Sequence, residues 1–190
     1  EIGRLREVTF REVGEGSGKA LDLDSYDEYY LHLIVWDRKE NELVGAYRAG
    51  QSDLILDRFG KKGLYTSTLF HFKKRLLKEI YPVLELGRSF VQPKYQKQFS
   101  SLLLLWKGIG HFVARNPRYR YLMGPVSISR DYSDQSRIFL KHFLQENYSA
   151  PELSKKVKPV KPLKLKSPKA WESSTTSMVV QHIDDVDELI

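Results

Sequence analysis

The chain has 190 residues, 41% of them hydrophobic and 12% aromatic, enough for one packed domain, alone or with an appendage. It has no cysteine, which excludes disulfides, thiolate metal sites and a cysteine nucleophile, and no apolar run approaches the roughly 20 residues that span a bilayer. The net charge of +7 is concentrated: residues 155–169 read KKVKPVKPLKLKSPK, with seven Lys and no acid, and without them the 31 basic residues fall to 24, equal to the 24 acids.

Ile2, Leu5, Val8 or Thr9, and Val13 recur at helical spacing, so residues 1–13 read as an amphipathic helix, ended by the glycine-rich loop GEGSG at 14–18. Tyr29 to Trp36 is apolar on both alternations and predicts a strand buried on both faces. After a polar turn, Leu43 to Arg48 predicts its antiparallel partner. Leu69, Phe72, Leu76 and Ile80 predict a helix capped by Thr66 or Ser67 and stopped by Pro82. Leu84 to Val91 reads as a strand and Ser100 to Arg115 as a strong helix closed before Pro117, with the run Leu102 to Trp106 in the core. Tyr121 to Ser129 reads as a strand, Ser133 or Asp134 to Asn147 as a helix, and Ser177 to Gln181 as a short strand.

A leading hairpin followed by alternating helices and strands predicts an α/β fold, a mixed and mostly antiparallel sheet with helices on both faces. The expected organisation is a domain over 1–150, a Pro/Lys-rich basic linker over 151–170 and a C-terminal segment over 171–190. Glu1 already lies in a helical pattern and the chain closes on another, IDDVDELI at 183–190, so both ends are expected to be cut from a longer protein. No signal peptide is read at the start.

The residues that ask for a chemical explanation are charges in or beside apolar strands. Glu85 and Arg88 lie inside one strand, Arg48 closes another, Asp24 and Asp27 precede the first, and Arg6 sits on the first helix. A charge inside a buried strand is costly unless it is paired, so these residues should meet one another or a ligand. Regular alternation sends Glu85 and Arg88 to opposite faces. A bulge near Gly87 would bring them together. Two His-x4-Asp matches, His32 to Asp37 and His182 to Asp187, read as chance: on a strand, residues five apart point to opposite faces. His71, His111 and His142 show no metal-ligand spacing, and no metal site is expected.

The ordered set of Arg6 and Phe10 with REV at 11–13, DSYDEYYL at 24–31, VGAYR at 44–48, ELGRSFV at 85–91, LWKGI at 105–109 and YLMGPVSIS at 121–129 resembles the GNAT-like N-acyltransferases that make ornithine and glycine lipids, once labelled hemolysins. It is more distantly similar to acyl-homoserine-lactone synthases. The resemblance implies a GNAT-like fold and transfer of a long-chain acyl or 3-hydroxyacyl group from acyl-carrier protein to the amine of a small amino acid, ornithine or glycine, giving a lyso-aminolipid. It implies Glu85 as general base, directly or through a water, because the amine must lose a proton before it attacks. Arg88 would act beside it, with Arg6, Asp24, Asp27, Arg48 and Ser89 around the substrate and backbone N–H groups near Gly87 to Ser89 polarising the thioester.

The donor loop implied by the resemblance is QKQFSS at 96–101, with Gln96, Lys97, Ser100 and Ser101 as candidate contacts. Phe99 stands where coenzyme-A users carry glycine, which disfavours a backbone cradle for pyrophosphate and favours acyl-phosphopantetheine on the carrier, with no tightly bound cofactor. Lys94, Lys97, Lys107 and the 155–169 segment are candidate docking charges for an acidic carrier. An anionic membrane surface is a further candidate partner, nucleic acid is not expected, and the expected place is cytoplasmic, with a peripheral position on the inner face of the membrane as the extension of that reading. An acyl-homoserine-lactone synthase and a non-catalytic scaffold binding lipid or an acidic protein remain open alternatives.

Overall fold

The computed structural model describes residues 1–129 and 131–162, apart from the side chain of Phe99. In chain order the elements are α1 (Ile2–Glu12), β1 (Leu31–Asp37), β2 (Glu42–Gln51), α2 (Ser52–Phe59), β3 (Phe70–Phe72), α3 (Lys74–Glu79), β4 (Val83–Val91), α4 (Pro93–Gln96), α5 (Phe99–Arg115), β5 (Tyr121–Met123), α6 (Asp134–Asn147), α7 (Pro151–Ser154) and β6 (Val157–Pro159). Short 3-10 turns stand at Ser25–Glu28, Gly60–Gly63 and Tyr65–Thr68. The main sheet has the order β1-β2-β4-β5. Its first two pairings are antiparallel and β4–β5 is parallel, so the expected mixed, mostly antiparallel α/β sheet is what forms.

Helices cover both faces. Leu5 of α1 packs with Leu43, Ala46 and Phe90 on one side. On the other, Phe112 and Val113 of α5 pack against Ala49, Leu84 and Tyr119. Gly108 lets α5 approach β1, since a Cβ there would meet the Leu33 side chain at 2.9 Å.

Several expectations fail for identifiable reasons. β1 is an edge strand in which Leu31, Ile34 and Trp36 are exposed and no residue is fully buried, not one buried on both faces, because neighbouring elements cover only part of its surface. The predicted helix around 69–80 is split. Phe70–Phe72 is a strand because Val157–Pro159 comes back to pair with it, and only Lys74–Glu79 is helical. That return builds residues 151–159 of the expected linker into the fold, with Leu153 and Val157 packed against Leu76, Ile80 and Val83. β5 stops at Met123 rather than running to Ser129. Leu102 to Trp106 is not core: only Leu105 is buried. Helix α2 is a further element, and its Ser52 hydroxyl accepts the Val83 N–H at 2.8 Å. The proposed strand at 177–181 and the His182 to Asp187 pair lie outside the described residues.

One glycine is required by packing at the centre of this sheet. Gly50 pairs with Glu85 across β2 and β4, and a Cβ on it would sit 2.3 Å from Cε1 of Tyr30. Gly50→Ala must therefore displace the buried Tyr30 ring, an overpacking change that costs about 1–3 kcal/mol; the check is a lower urea midpoint at unchanged m-value.

Candidate active site

The site is assembled on the α1 face of the sheet, where register places Arg48, Gly50, Glu85 and Gly87 together. The β2–β4 ladder pairs Arg48 with Gly87 and then Ala46 with Phe90. One residue of β2, Tyr47, thus faces two of β4, and the extra residue is a bulge at Arg88–Ser89. Arg88 takes φ +47°, a left-handed conformation that costs energy for a side chain larger than glycine. Its guanidinium reaches Asp22 and also Asp24, which Arg48 pairs with too, and it shares the Tyr65 ring with Arg48. The separation imposed by regular alternation is removed by this bulge, one residue beyond Gly87.

The aspartates come from one short segment. Asp24 caps the Ser25–Glu28 turn, accepting from the Tyr26 N–H at 3.0 Å, while its own N–H donates to Asp27 at 2.8 Å. That capping box presents both carboxylates to the sheet. Arg6, 1% exposed, donates to both oxygens of Asp27 at 3.0 and 2.8 Å and to the Asp22 carbonyl at 2.9 Å. Arg48, 2% exposed, donates to Asp24 at 2.6 Å, lies 3.3 Å from Asp27, and has the rings of Tyr26, Tyr30 and Tyr65 around it at 5.3–5.6 Å. Burial acts to raise the Asp27 pKa, but hydrogen bonds from Arg6 and the Asp24 N–H, with the charges of Arg6 and Arg48, outweigh it and hold the carboxyl at about 2.

Arg88 is held more loosely. It lies 3.4 Å from Asp22 and 4.0 Å from Asp24, its side chain is 25% exposed, and it stacks over Phe10 and Tyr65. Its buried Nε and the buried Nη2 of Arg48 have no hydrogen-bond acceptor. Ser89, beside it, is exposed.

Glu85 is 1% exposed. Its Oε1 accepts the Thr66 N–H at 2.6 Å; its Oε2 accepts the Tyr65 N–H at 3.2 Å and the Tyr30 hydroxyl. Burial, followed by the charge of Glu85, pushes the Tyr30 hydroxyl pKa far up, so Tyr30 stays a donor. Immediately after Glu85 the β4–β5 ladder ends, its last pair being Glu85 with Met123. Arg88 and Ser89 thus fall outside the paired residues of both ladders.

The expected donor loop is spread over two helices. Gln96 ends α4 and spends its amide on the Val91 carbonyl at 3.0 Å; Lys97 and Ser100 are exposed, and Ser101 is buried in the first turn of α5 with its N–H on the Gln98 carbonyl. Lys94 is paired with Glu42 and Lys107 is exposed. The two tight approaches missed in the sequence are Asp22, which pairs with Arg6 and Arg88, and Tyr65, which lies under two guanidinium groups. His32 stands 3.6 Å from Asp27 rather than relaying to Asp37. On the reverse face, an apolar cavity of about 230 Å³ is walled by Leu33, Ala49, Leu84, Leu86, Ile109 and Phe112. Among the described residues no cluster of three or more His, Cys, Asp or Glu is placed to hold a metal ion, and no helix is long and apolar enough to cross a membrane.

A bulged central strand, a neighbouring parallel strand whose pairing with it ends, and a buried acid at the last pair make up the candidate site. The family model for the acetyltransferase (GNAT) domain matches residues 5–107, and the chain belongs to that family. It is 37% identical to a glycine N(alpha)-acyltransferase of Phocaeicola vulgatus over 89% of this chain and 55% of that protein. It is equally 37% identical to a glycine N(alpha)-acyltransferase of Bacteroides thetaiotaomicron over 88% of this chain and 52% of that one. The chain thus spans about half the length of the curated relatives it matches. No solved structure gives a significant match.

The Asp27 pairing has a pH signature. A carboxyl moved from 3.8 to about 2 by folding contributes about 2 kcal/mol. This stability is fully present above the unfolded value and is lost as pH falls through the folded one. Stability measured by denaturant titration between pH 4 and pH 2 should therefore fall steeply in the wild type, and Asp27→Asn should flatten that slope.

Proposed function

We propose that this chain carries an N-acyltransferase site that moves an acyl group from a phosphopantetheine thioester on an acyl-carrier protein to the amine of glycine, with ornithine as the alternative acceptor. The observation that carries the reading is Arg88. Of the three arginines over the aspartates it is the most open, its ion pairs are the longest, and its buried Nε lacks an acceptor. A guanidinium so placed suits an amino acid's carboxylate, which it can take through two parallel hydrogen bonds. Arg6 and Arg48 hold Asp22, Asp24 and Asp27 in place around it. The acceptor amine then lies beside the Arg88–Ser89 bulge, whose unladdered backbone polarises the thioester carbonyl. The amine nitrogen bonds to that carbonyl carbon, the carbon–sulfur bond breaks, and the pantetheine thiol takes up a proton. The cavity behind Leu84 and Leu86 offers the acyl tail apolar surroundings on the reverse face of β4.

Glu85 is the proton acceptor of this scheme, through the hydrogen-bonded cluster that encloses it. The three hydrogen bonds it already accepts favour a second reading, in which it is a positioning residue that pins Tyr30 and the Tyr65–Thr66 turn under Arg48 and Arg88. Glu85→Gln separates the two. The amide oxygen can accept from Thr66, the amide nitrogen can donate to Tyr30, and Tyr30 can donate instead to the Gly63 carbonyl, already within 3.3 Å. The variant therefore folds. As a base variant it loses about 10²-fold or more in kcat at neutral pH; as a positioning variant it raises KM for glycine and keeps the wild-type pH profile. A wild-type rate and KM in the carrier-thioester assay would remove Glu85 from both roles.

Arg88→Gln is expected to raise KM for glycine by about tenfold to a hundredfold, the worth of a charge-assisted pair, with KM for the acyl carrier unchanged. Steady-state kinetics varying each substrate in turn check this. Coenzyme A titrated by calorimetry should bind weakly or not at all. The intracellular, membrane-peripheral place follows from this reading, since a carrier protein is a cytoplasmic donor and an acyl-amino acid is a lipid.

A further inference from the structure

Residues 102–106 of α5 read LLLLW, and a helix that is apolar all round in its first turns is ordinarily buried. The sheet side of the helix carries Ser101, Leu105, Gly108, Ile109 and Phe112, and Trp106 at its edge has its ring 6.3 Å from that of Tyr47. Leu102, Leu103, Leu104 and Trp106 are 42–50% exposed. At 100° per residue Leu103 stands at the centre of the outer side, with Leu102 and Trp106 on one flank and Leu104 on the other. The second half of the helix shows Gly110, His111 and Ala114 to solvent instead, so the apolar character is confined to one end. Contiguous exposed apolar surface of this kind marks an interaction site.

Along this stretch of the chain the charges have one sign. Residues 93–115 contain Lys94, Lys97, Lys107 and Arg115 and no Asp or Glu. Lys107 is exposed one turn after Leu103, and Lys97 is exposed just before the helix. Long lysine side chains with apolar stems beside leucines, and an indole at the edge of the patch, match the interface between acyl chains and headgroups.

We propose that the first two turns of α5 are a bilayer-contact element for an anionic phospholipid surface: Leu102, Leu103, Leu104 and Trp106 enter the acyl boundary while Lys97 and Lys107 meet the headgroup phosphates. The proposal extends the acyl-transfer reading, because α5 follows directly from the donor loop and an acylated amino acid leaves the site as an amphiphile. An acidic carrier protein would use the lysines but has less use for four large apolar side chains with no acid among them. The bilayer uses both.

Flotation of the intact chain with vesicles tests this without any turnover, so failure of the acyl-transfer reading and failure of this one are separate results. The chain should float with phosphatidylglycerol–phosphatidylcholine vesicles about tenfold or more better than with phosphatidylcholine alone, the difference falling with added salt. Brominated lipid should quench tryptophan emission, and Trp106→Phe should remove that quenching. The double variant Leu103→Glu, Leu104→Glu should keep its circular dichroism spectrum and its vesicle-free transfer rate and lose flotation about tenfold or more. Wild-type protein that stays unbound overturns the proposal, as does a double variant that floats like wild type. A double variant that raises KM for the carrier while vesicle binding is unaltered assigns the face to the carrier and overturns it too, and so does equilibrium sedimentation in which the face joins two copies.

Discussion

A guanidinium withdrawn from water must recover its charge balance and its hydrogen bonds inside the protein, and two such groups, Arg6 and Arg48, lie between α1 and the sheet. Uncompensated, a buried charge costs several kcal/mol; here Asp22, Asp24 and Asp27 supply the compensation from one short stretch. The consequence is geometric. The segment before β1 must stay on the sheet, the Ser25–Glu28 turn must keep its capping box, and α1 must present Arg6 inward. Tyr26 of the same turn and Tyr30 just after it then complete the shell around Arg48, their ring faces replacing water where no carboxylate reaches. A polar network of this kind specifies one arrangement more than it adds net stability.

The bulge in β4 turns that structural network into a site. Without it, Arg88 would leave the face that Glu85 and Arg48 share. With the left-handed turn at Arg88, the strand delivers a third guanidinium to the aspartates, but at longer range and with more exposure. The strain is stored where β4 and β5 part, next to backbone that neither ladder pairs. Glu85 sits at the last paired rung, tied to the Tyr65–Thr66 turn, so the acid, the bulge and the tyrosine shell are parts of one rigid unit. Gly50 makes this possible by leaving the space Tyr30 needs to reach Glu85.

Much of the architecture was legible because strong local signals agreed. The hairpin of β1 and β2, the long α5 and the capped α6 each have clear periodicity and end markers, and Ser133 caps α6 as its position suggests. The short elements were illegible. Phe70–Phe72 has no strand signal of its own and is a strand because Val157–Pro159 docks on it from far along the chain. β5 ends at Met123, where Gly124-Pro125 follows and the proline has no N–H to give a ladder, a stop that a reading through to Ser129 passes over. The candidate site divides in the same way. Arg6, Asp24, Asp27, Arg48, Glu85 and Arg88 stood out as charges in apolar surroundings. Asp22 and Tyr65 did not, the first because it lies ahead of any strand or helix pattern and meets its partners only through the fold, the second because its contacts are with residues 17 and 23 positions away.

By itself, then, the sequence determined which residues had to find partners: a charge in an apolar strand carries its desolvation cost wherever the chain folds, so Glu85 and Arg88 were marked from the start. Tertiary structure alone decided who those partners are and which face they share. Alternation along β4 predicts opposite faces, and only the pairing of two β4 residues, Arg88 and Ser89, against one of β2 reverses it. The same division holds for α5, whose leucines were bound to seek apolar surroundings, while only the packing of the helix on the sheet decided that one of the four would find them in the core.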